Sequence, residues 1–117
     1  MNRINYHNKR FRAVSNSEKG EVDGETVFHY TQEGDMVSGT YRGGSIRFGT
    51  LIARIDDKGE LHMRYQHMNQ SGELMTGKCR SVPEVLPHGR LRLKEQWQWT
   101  CGDFSKGESL IEEIQSE

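Results

Sequence analysis

The longest regular pattern in the chain is an alternation of apolar and polar residues over positions 90–100. Leu91, Leu93, Trp97 and Trp99 fall on one side of this pattern, and Glu95 falls among them. Successive side chains of a β-strand point to opposite faces, so an alternation with a period of two predicts a half-buried strand. The pattern therefore predicts that both tryptophans and one carboxylate point toward the interior of the protein.

Glycine-containing segments divide the rest of the chain into similar short runs. The segments expected to form turns or loops are 20–24, 33–34, 43–44, 57–59, 69–72, 83–89 and 102–107. Short alternating runs between such segments are typical of strands joined by antiparallel hairpins, and no apolar stripe with helical spacing continues for three turns. The sequence predicts an all-β fold, an up-and-down antiparallel barrel of about eight strands that is calycin- or lipocalin-like by analogy. It is expected to form one domain over residues 1–117, with 1–8 as a loosely ordered N-terminal segment.

The ends of the chain carry opposite charges, which favours pairing between them. Basic residues precede the first strand, and four glutamates lie between positions 108 and 117. A barrel has no free edge because its first and last strands are neighbours. We therefore expect residues 9–14 to pair with residues 109–114. Exposed ion pairs contribute only ~0–1 kcal/mol each, so these charges set the register more than the stability.

Hairpin geometry predicts partners for individual residues. A two-residue loop at 33–34 places Tyr30 opposite Val37, and a three-residue loop at 57–59 places Leu51 opposite Tyr65. In the fourth strand, the residues that point inward are then even-numbered in the first half and odd-numbered in the second half. A bulge near residues 49–50 would reconcile them, because a glycine inside a strand is a common place for a bulge.

The length of the loop at 69–72 decides which side chains of the sixth strand point inward. A loop of two or four residues turns Lys78 and Arg80 to the inner face, whereas a loop of three residues turns Met75 and Cys79 there instead. The sequence leaves both alternatives open.

The predicted register gathers aromatic residues on one inner face. They are Phe28, Tyr30, Tyr41, Phe48, Tyr65, Trp97 and Trp99. A barrel of about eight strands is either filled by its side chains or holds one small ligand. These aromatics are therefore either an ordinary core or the walls of a pocket.

Glu95 and His67 are the polar groups expected among these aromatics. An unpaired carboxylate on an inner face is strongly destabilising, so Glu95 must be neutral, paired or turned to water or a ligand. We expect an internal ion pair between Glu95 and Arg80. His67 shares the face of Tyr65; it is either a histidine with ordinary structural hydrogen bonds or a group that titrates near neutral pH and acts on a ligand.

Composition narrows the possible partners. The chain of 117 residues has a formal net charge of −1 and a mean hydropathy of −0.86, which gives no support to a nucleic-acid or membrane partner. The N-terminus lacks the apolar core of a secretory signal, and Cys79 and Cys101 are far apart, so we expect reduced thiols in a cytoplasmic protein. The histidine spacings do not match a metal site, and neither a metal nor a cofactor is expected.

Six segments of the chain carry a resemblance to a known group of proteins. They are residues 14–17, 25–30, 40–44, 74–79, 89–100 and 107–114. Together they resemble a family of small bacterial proteins whose members are often labelled N-acetylglutamate synthase by automated means, and the resemblance extends from Asn8 to Ile114. An acetyltransferase holds its cofactor pyrophosphate on a glycine-rich turn that opens a helix. The glycines here lie between predicted strands, so acetyltransferase activity is not expected.

The leading functional hypothesis is that a small, partly apolar molecule binds in the mouth of the barrel. The predicted ligand-binding residues are Phe28, Tyr30, Tyr41, Tyr65, His67, Arg80, Glu95, Trp97 and Trp99. One alternative is a small enzyme that uses Glu95 or His67 as a general acid or base in the same cavity. The other is a non-catalytic interaction module, such as a homodimer.

Overall fold

A computed structural model, which describes residues 4–114, shows a closed antiparallel barrel. Its strands are β1 Lys9–Asn16, β2 Val27–Glu33, β3 Met36–Gly43, β4 Ile46–Ile55, β5 Leu61–Asn69, β6 Leu74–Val85, β7 Leu91–Trp99 and β8 Lys106–Glu113. Each strand pairs with its neighbours along the chain, and β8 pairs with β1. A single 3₁₀ turn, Pro87–Gly89, is the only helical element over residues 4–114, where no helix has the length and apolarity to cross a membrane. The prediction of an eight-stranded up-and-down barrel is confirmed.

The first and last strands close the barrel as their charges predicted. Phe11 of β1 pairs with Glu113 of β8, and the backbone N–H of Ile114 donates to the carbonyl of Arg10 at 2.7 Å. The ammonium of Lys9 lies 3.1 Å from the carboxylate of Glu113. The pairing of residues 9–14 with residues 109–114 is therefore confirmed.

The β2–β3 hairpin turns one residue later than predicted. Glu33 pairs with Met36, so the loop is Gly34–Asp35, and Tyr30 faces Gly39 instead of Val37. Gly34 adopts a φ of +61°, a left-handed conformation that glycine reaches without strain. The register differs from the prediction by two residues, and because this shift is even, the same side chains still point inward.

A bulge does occur in β4, but it lies earlier than predicted. The register of β4 against β5 shifts between Ile46 and Phe48, ahead of the expected position at Gly49. Ile46 is buried, whereas the side chain of Phe48 is 43% exposed on the outer face, where the guanidinium of Arg42 lies 5.0 Å from the ring centroid. The prediction that Phe48 belongs to the inner aromatic face was wrong because the extra residue reverses its direction.

The β5–β6 loop has three residues, which decides between the two alternatives for β6. The N–H of Asn69 donates to the carbonyl of Glu73 at 3.0 Å, leaving residues 70–72 as the loop. Cys79 pairs with Met63 and is buried, whereas Lys78 and Arg80 are exposed on the outer face. The inner face of β6 is therefore apolar rather than basic.

One end of the barrel is closed by the segment that precedes β1. Tyr6 is fully buried, and its hydroxyl donates to the carbonyl of Gly59 at 2.6 Å. Tyr30 lies next to it inside the barrel, with the ring of Phe11 4.8 Å from its own. Residues 1–3 of the N-terminal segment lie outside the described residues. The packing at this end leaves the opposite end of the barrel as the place for a pocket.

Candidate functional site

A pocket opens at the end of the barrel that carries the β1–β2, β3–β4, β5–β6 and β7–β8 loops. Its apolar walls are Phe28, Tyr41, Leu51, Met63, Tyr65, Trp97 and Trp99. The polar residues that reach it include Asn16, Glu21, His67, Glu95 and Ser109. The cavity has a volume of about 40 Å³, which is small beside the ~300–1,000 Å³ of ordinary ligand pockets. The barrel is therefore mostly filled, with a small remaining space between aromatic side chains.

Glycines on neighbouring strands allow the aromatic rings to lie flat against the barrel wall. Three of these cross-strand pairs are Tyr41 with Gly49, Tyr65 with Gly77 and Trp97 with Gly107. A Cβ atom added to any of these glycines would overlap the ring of its partner. The absence of a side chain at these positions is therefore what keeps the rings out of the centre of the pocket.

Glu95 lies at the base of the pocket, among hydroxyl groups. The hydroxyls of Ser81 and Ser109 donate to its two carboxyl oxygens at 2.8 and 3.1 Å. Burial raises the pKa of Glu95, and the two serine hydrogen bonds oppose that rise. Burial also raises the pKa of the Cys79 thiol beside this group, so the base of the pocket favours neutral forms.

The predicted ion pair between Glu95 and Arg80 is wrong. Arg80 lies on the outer face of β6, where its guanidinium donates to the carboxylate of Glu60 at 2.9 and 2.6 Å. The three-residue loop after Asn69 sets the parity of β6 and turns Arg80 away from the interior. Glu95 is satisfied by Ser81 and Ser109 instead.

A second cluster of polar side chains lies at the mouth of the pocket and is centred on His67. Its side chain is buried, with Nδ1 2.8 Å from the hydroxyl of Tyr41 and Nε2 2.8 Å from a carboxylate oxygen of Glu21. The side-chain amide of Asn69 donates to both oxygens of the same carboxylate, at 3.3 and 3.2 Å. Burial raises the pKa of Tyr41 well above its ordinary value, so its hydroxyl keeps its proton. The imidazole is thus held in one orientation from both sides.

The β1–β2 loop, residues 17–26, covers the mouth, and the loop and the last residue of β1 each bind one indole. The Nε1–H of Trp97 donates to Oδ1 of Asn16 at 2.9 Å, and that of Trp99 donates to the carbonyl of Lys19 at 3.1 Å. The amide of Asn16 also donates to the carbonyl of Val22 at 3.0 Å. The N–H groups of both indoles are therefore hydrogen-bonded, one to the end of β1 and the other to the loop.

Most of the predicted site residues come together in this pocket. Phe28, Tyr41, Tyr65, His67, Glu95, Trp97 and Trp99 line it. Tyr30 lies deeper and is fully buried, and Arg80 is outside the barrel. That the residues of the pocket bind a ligand remains a prediction.

Sequence reasoning missed the hydroxyl and loop residues of the site. Ser81 and Ser109 lie directly opposite Glu95 on the two flanking strands. Small hydroxyl residues that pair with an inward-pointing acid could therefore have been recognised as its hydrogen-bond partners. Glu21 reaches the mouth from a loop, and Asn69 is fixed by the turn that follows it. Their approach to His67 depends on tertiary structure, and no periodic pattern marks it.

The raised pKa of Glu95 predicts how the stability of the protein varies with pH. The native state binds this proton more tightly than the unfolded state does, so the stabilisation is complete below the unfolded pKa of about 4.5 and is lost as the pH rises toward the folded-state pKa. Glu95→Gln cannot titrate. Its free energy of unfolding, relative to the wild type, should therefore increase with pH above 4.5 in urea titrations. Glu25→Gln, an exposed change, should show no such trend, and a difference for Glu95→Gln that is constant or falls with pH would contradict the assignment.

Comparison with known proteins gives one family match. The family model described as avidin-like protein matches residues 4–114, which is nearly the whole chain. This match and the eight-stranded antiparallel barrel both fit the calycin-like architecture expected from the sequence. A search of curated proteins found no match to this chain.

Proposed function

Because this chain belongs to the avidin-like protein family, we propose that it binds one small, partly apolar molecule in the pocket at the mouth of its barrel. Barrels of this family typically bind small ligands. The proposal assigns the walls of the pocket to Trp97, Trp99 and Tyr65, and the polar contacts to His67 and Glu95.

The observation that carries the proposal is the presence of two polar clusters at opposite ends of an aromatic space. His67 with its partners lies at the mouth, and Glu95 with its serines lies at the base. A core that serves only packing gains nothing from buried titratable groups, because each one costs free energy to remove from water. Small-molecule sites combine apolar walls with a few convergent polar groups, and this pocket has that composition.

The size of the cavity limits what binds without movement. A cavity of about 40 Å³ admits only a compact group, so a larger ligand requires the β1–β2 loop to shift. The loop contacts the pocket through side chains and a few hydrogen bonds, at Lys19, Glu21 and Val22, rather than through a strand pairing of its own. The segment around Glu21 can therefore shift without breaking a pairing between strands.

The two indoles in the pocket make tryptophan fluorescence a direct test. We expect at least one compound in a panel of small metabolites, fatty acids and biotin to change the emission saturably. Trp97→Phe and Trp99→Phe should each reduce the amplitude, and His67→Ala should weaken binding by about tenfold, the equivalent of one hydrogen bond.

Arg80→Ala is the matched control, because it removes a polar side chain from the outer face of the same barrel. It should leave the affinity unchanged. If no compound changes either the emission or the melting temperature, or if binding survives in all the pocket variants, the pocket is not a ligand site.

A further inference from the structure

The carboxylate of Glu21 occupies the mouth of the pocket as if it were a ligand. It receives hydrogen bonds from His67 at 2.8 Å and from the amide of Asn69 at 3.3 and 3.2 Å. The side chain of His67 is 1% exposed and that of Glu21 is 23% exposed, so the bond lies at the boundary between the barrel and the solvent. Glu21 is the part of this arrangement that comes from a loop.

The groups that hold this carboxylate belong to the barrel itself. Tyr41 stands on β3, and His67 and Asn69 stand on β5. A neutral imidazole that donates from Nε2 accepts at Nδ1, which is the nitrogen that the hydroxyl of Tyr41 reaches. The donor at the mouth is therefore oriented from inside the barrel and does not depend on Glu21.

Asn69 is oriented in the same way by its own turn. Its Oδ1 accepts hydrogen bonds from the backbone N–H groups of Ser71 and Glu73, at 3.1 and 2.9 Å. The NH₂ of the amide is consequently turned outward, where it reaches Glu21 and also the carboxylate of Glu73 at 2.9 Å. Two fixed donors on adjacent wall positions form a preorganised site for one carboxylate.

The opposite end of the pocket disfavours a second negatively charged group on the same ligand. Glu95 lies there, is buried, and already receives its hydrogen bonds from Ser81 and Ser109. No Lys or Arg lines the pocket in the described part of the chain. A molecule with one carboxylate at the mouth and a neutral, largely apolar body toward the indoles matches this distribution.

We infer that the ligand of this pocket is a compact monocarboxylic acid whose carboxylate replaces that of Glu21 on His67 and Asn69, while its apolar body lies against Trp97 and Trp99. The inference rests on the proposed function and specifies its ligand class. Glu21 keeps the site occupied when no ligand is present, so a ligand must displace it. The native loop therefore weakens binding, and removal of the Glu21 side chain strengthens it.

The test compares benzoate with benzamide on the Glu21→Ala variant. The two compounds have nearly the same shape and differ in charge. We expect benzoate to raise the melting temperature of the variant and to change its tryptophan emission, with an affinity at least tenfold higher than for the wild type and at least tenfold higher than that of benzamide. Glu18→Ala removes an exposed glutamate from the same loop and should bind benzoate as weakly as the wild type does.

Two further variants separate the possible outcomes. Adding His67→Phe to Glu21→Ala should abolish the preference for benzoate over benzamide, and Glu21→Gln provides a nearly isosteric replacement if the alanine variant is poorly folded. If benzoate and benzamide bind either Glu21 variant equally, or if benzoate does not bind, the carboxylate inference is wrong. In that case a neutral ligand from the fluorescence panel would leave the proposed function standing, whereas a panel without any binding compound would remove both.

Discussion

Trp97→Ala is expected to lower the free energy of unfolding by about 3–5 kcal/mol, the usual effect of removing a large buried aromatic side chain. The indole is 7% exposed, its centroid lies 5.6 Å from that of Trp99, and its Nε1–H donates to Asn16. The variant therefore loses core packing and its hydrogen bond to Asn16, the residue of β1 whose amide binds the carbonyl of Val22 in the β1–β2 loop. Chemical denaturation with the wild type as reference measures the change.

Gly107 lies against the ring of Trp97 and allows a second test of the same packing. Gly107→Ala alone should lower the free energy of unfolding by about 1–3 kcal/mol, because its Cβ would overlap the ring of Trp97. In the Trp97→Ala background the same Cβ enters empty space, so the loss should shrink by about 1 kcal/mol or more in a double-mutant cycle. Gly24→Ala is the control, since a Cβ there meets its nearest atom at 3.7 Å. Additive effects of the two changes would show that the glycine does not serve the tryptophan.

Tyr30→Phe and Tyr41→Phe are expected to change stability in opposite directions. The hydroxyl of Tyr30 is buried and has no hydrogen-bond partner within residues 4–114, so its removal should raise the free energy of unfolding by about 1–3 kcal/mol. The hydroxyl of Tyr41 is bonded to His67 at 2.8 Å, and its removal leaves a buried ring nitrogen unsatisfied. Tyr41→Phe should therefore lower the free energy of unfolding by about 1–3 kcal/mol.

Tyr30→Phe and Tyr41→Phe make the same chemical change on two neighbouring strands, so each variant is a control for the other. Each variant removes one oxygen from a buried tyrosine and leaves the ring in place. Equilibrium unfolding of both variants beside the wild type provides the measurement. Destabilisation of equal size in both would mean that the hydroxyl of Tyr30 is satisfied in solution.

The sequence predicted the barrel well where a strand has one buried face. The alternation from Leu91 to Trp99 determines which side chains point inward, and the burial of Glu95 follows from its position in that alternation. The pairing of β1 with β8 was also predictable, because only one closure brings the basic and acidic ends together. These features depend on local periodicity and on charge, both of which are visible in the chain.

Loop lengths and bulges account for the failures at the site. One residue more or less in a connection reverses every side chain that follows, which is why Arg80 was expected inside and lies outside. The bulge before Phe48 has the same effect on that residue. Turn residues such as Gly34, with positive φ, shift a hairpin by one position without altering the composition that predicts it. The side chains that share a face within one strand are thus predictable from the sequence. Which of the two sets points inward after a turn is not.

The mouth of the pocket was the least predictable part because it is assembled by a loop. Glu21 has no periodic neighbour that marks it, and it meets His67 across 46 positions of the chain. Its role follows from the geometry of the partners that surround it. Loops of this kind carry function on a rigid scaffold, so the residues hardest to predict are also those most relevant to binding.

The closure of β1 on β8 also has a consequence for how the chain reaches this structure. Lys9 and Glu113 form an ion pair across 104 positions, so the last seam of the barrel joins segments from nearly opposite ends of the chain. Each of the other seams is a hairpin between consecutive strands and loses far less loop entropy as it forms. Hairpins can therefore assemble early, while the final seam delays folding toward the millisecond-to-second range of β proteins with many non-local contacts. Until it forms, the outer strands expose the unpaired backbone groups through which folding intermediates aggregate.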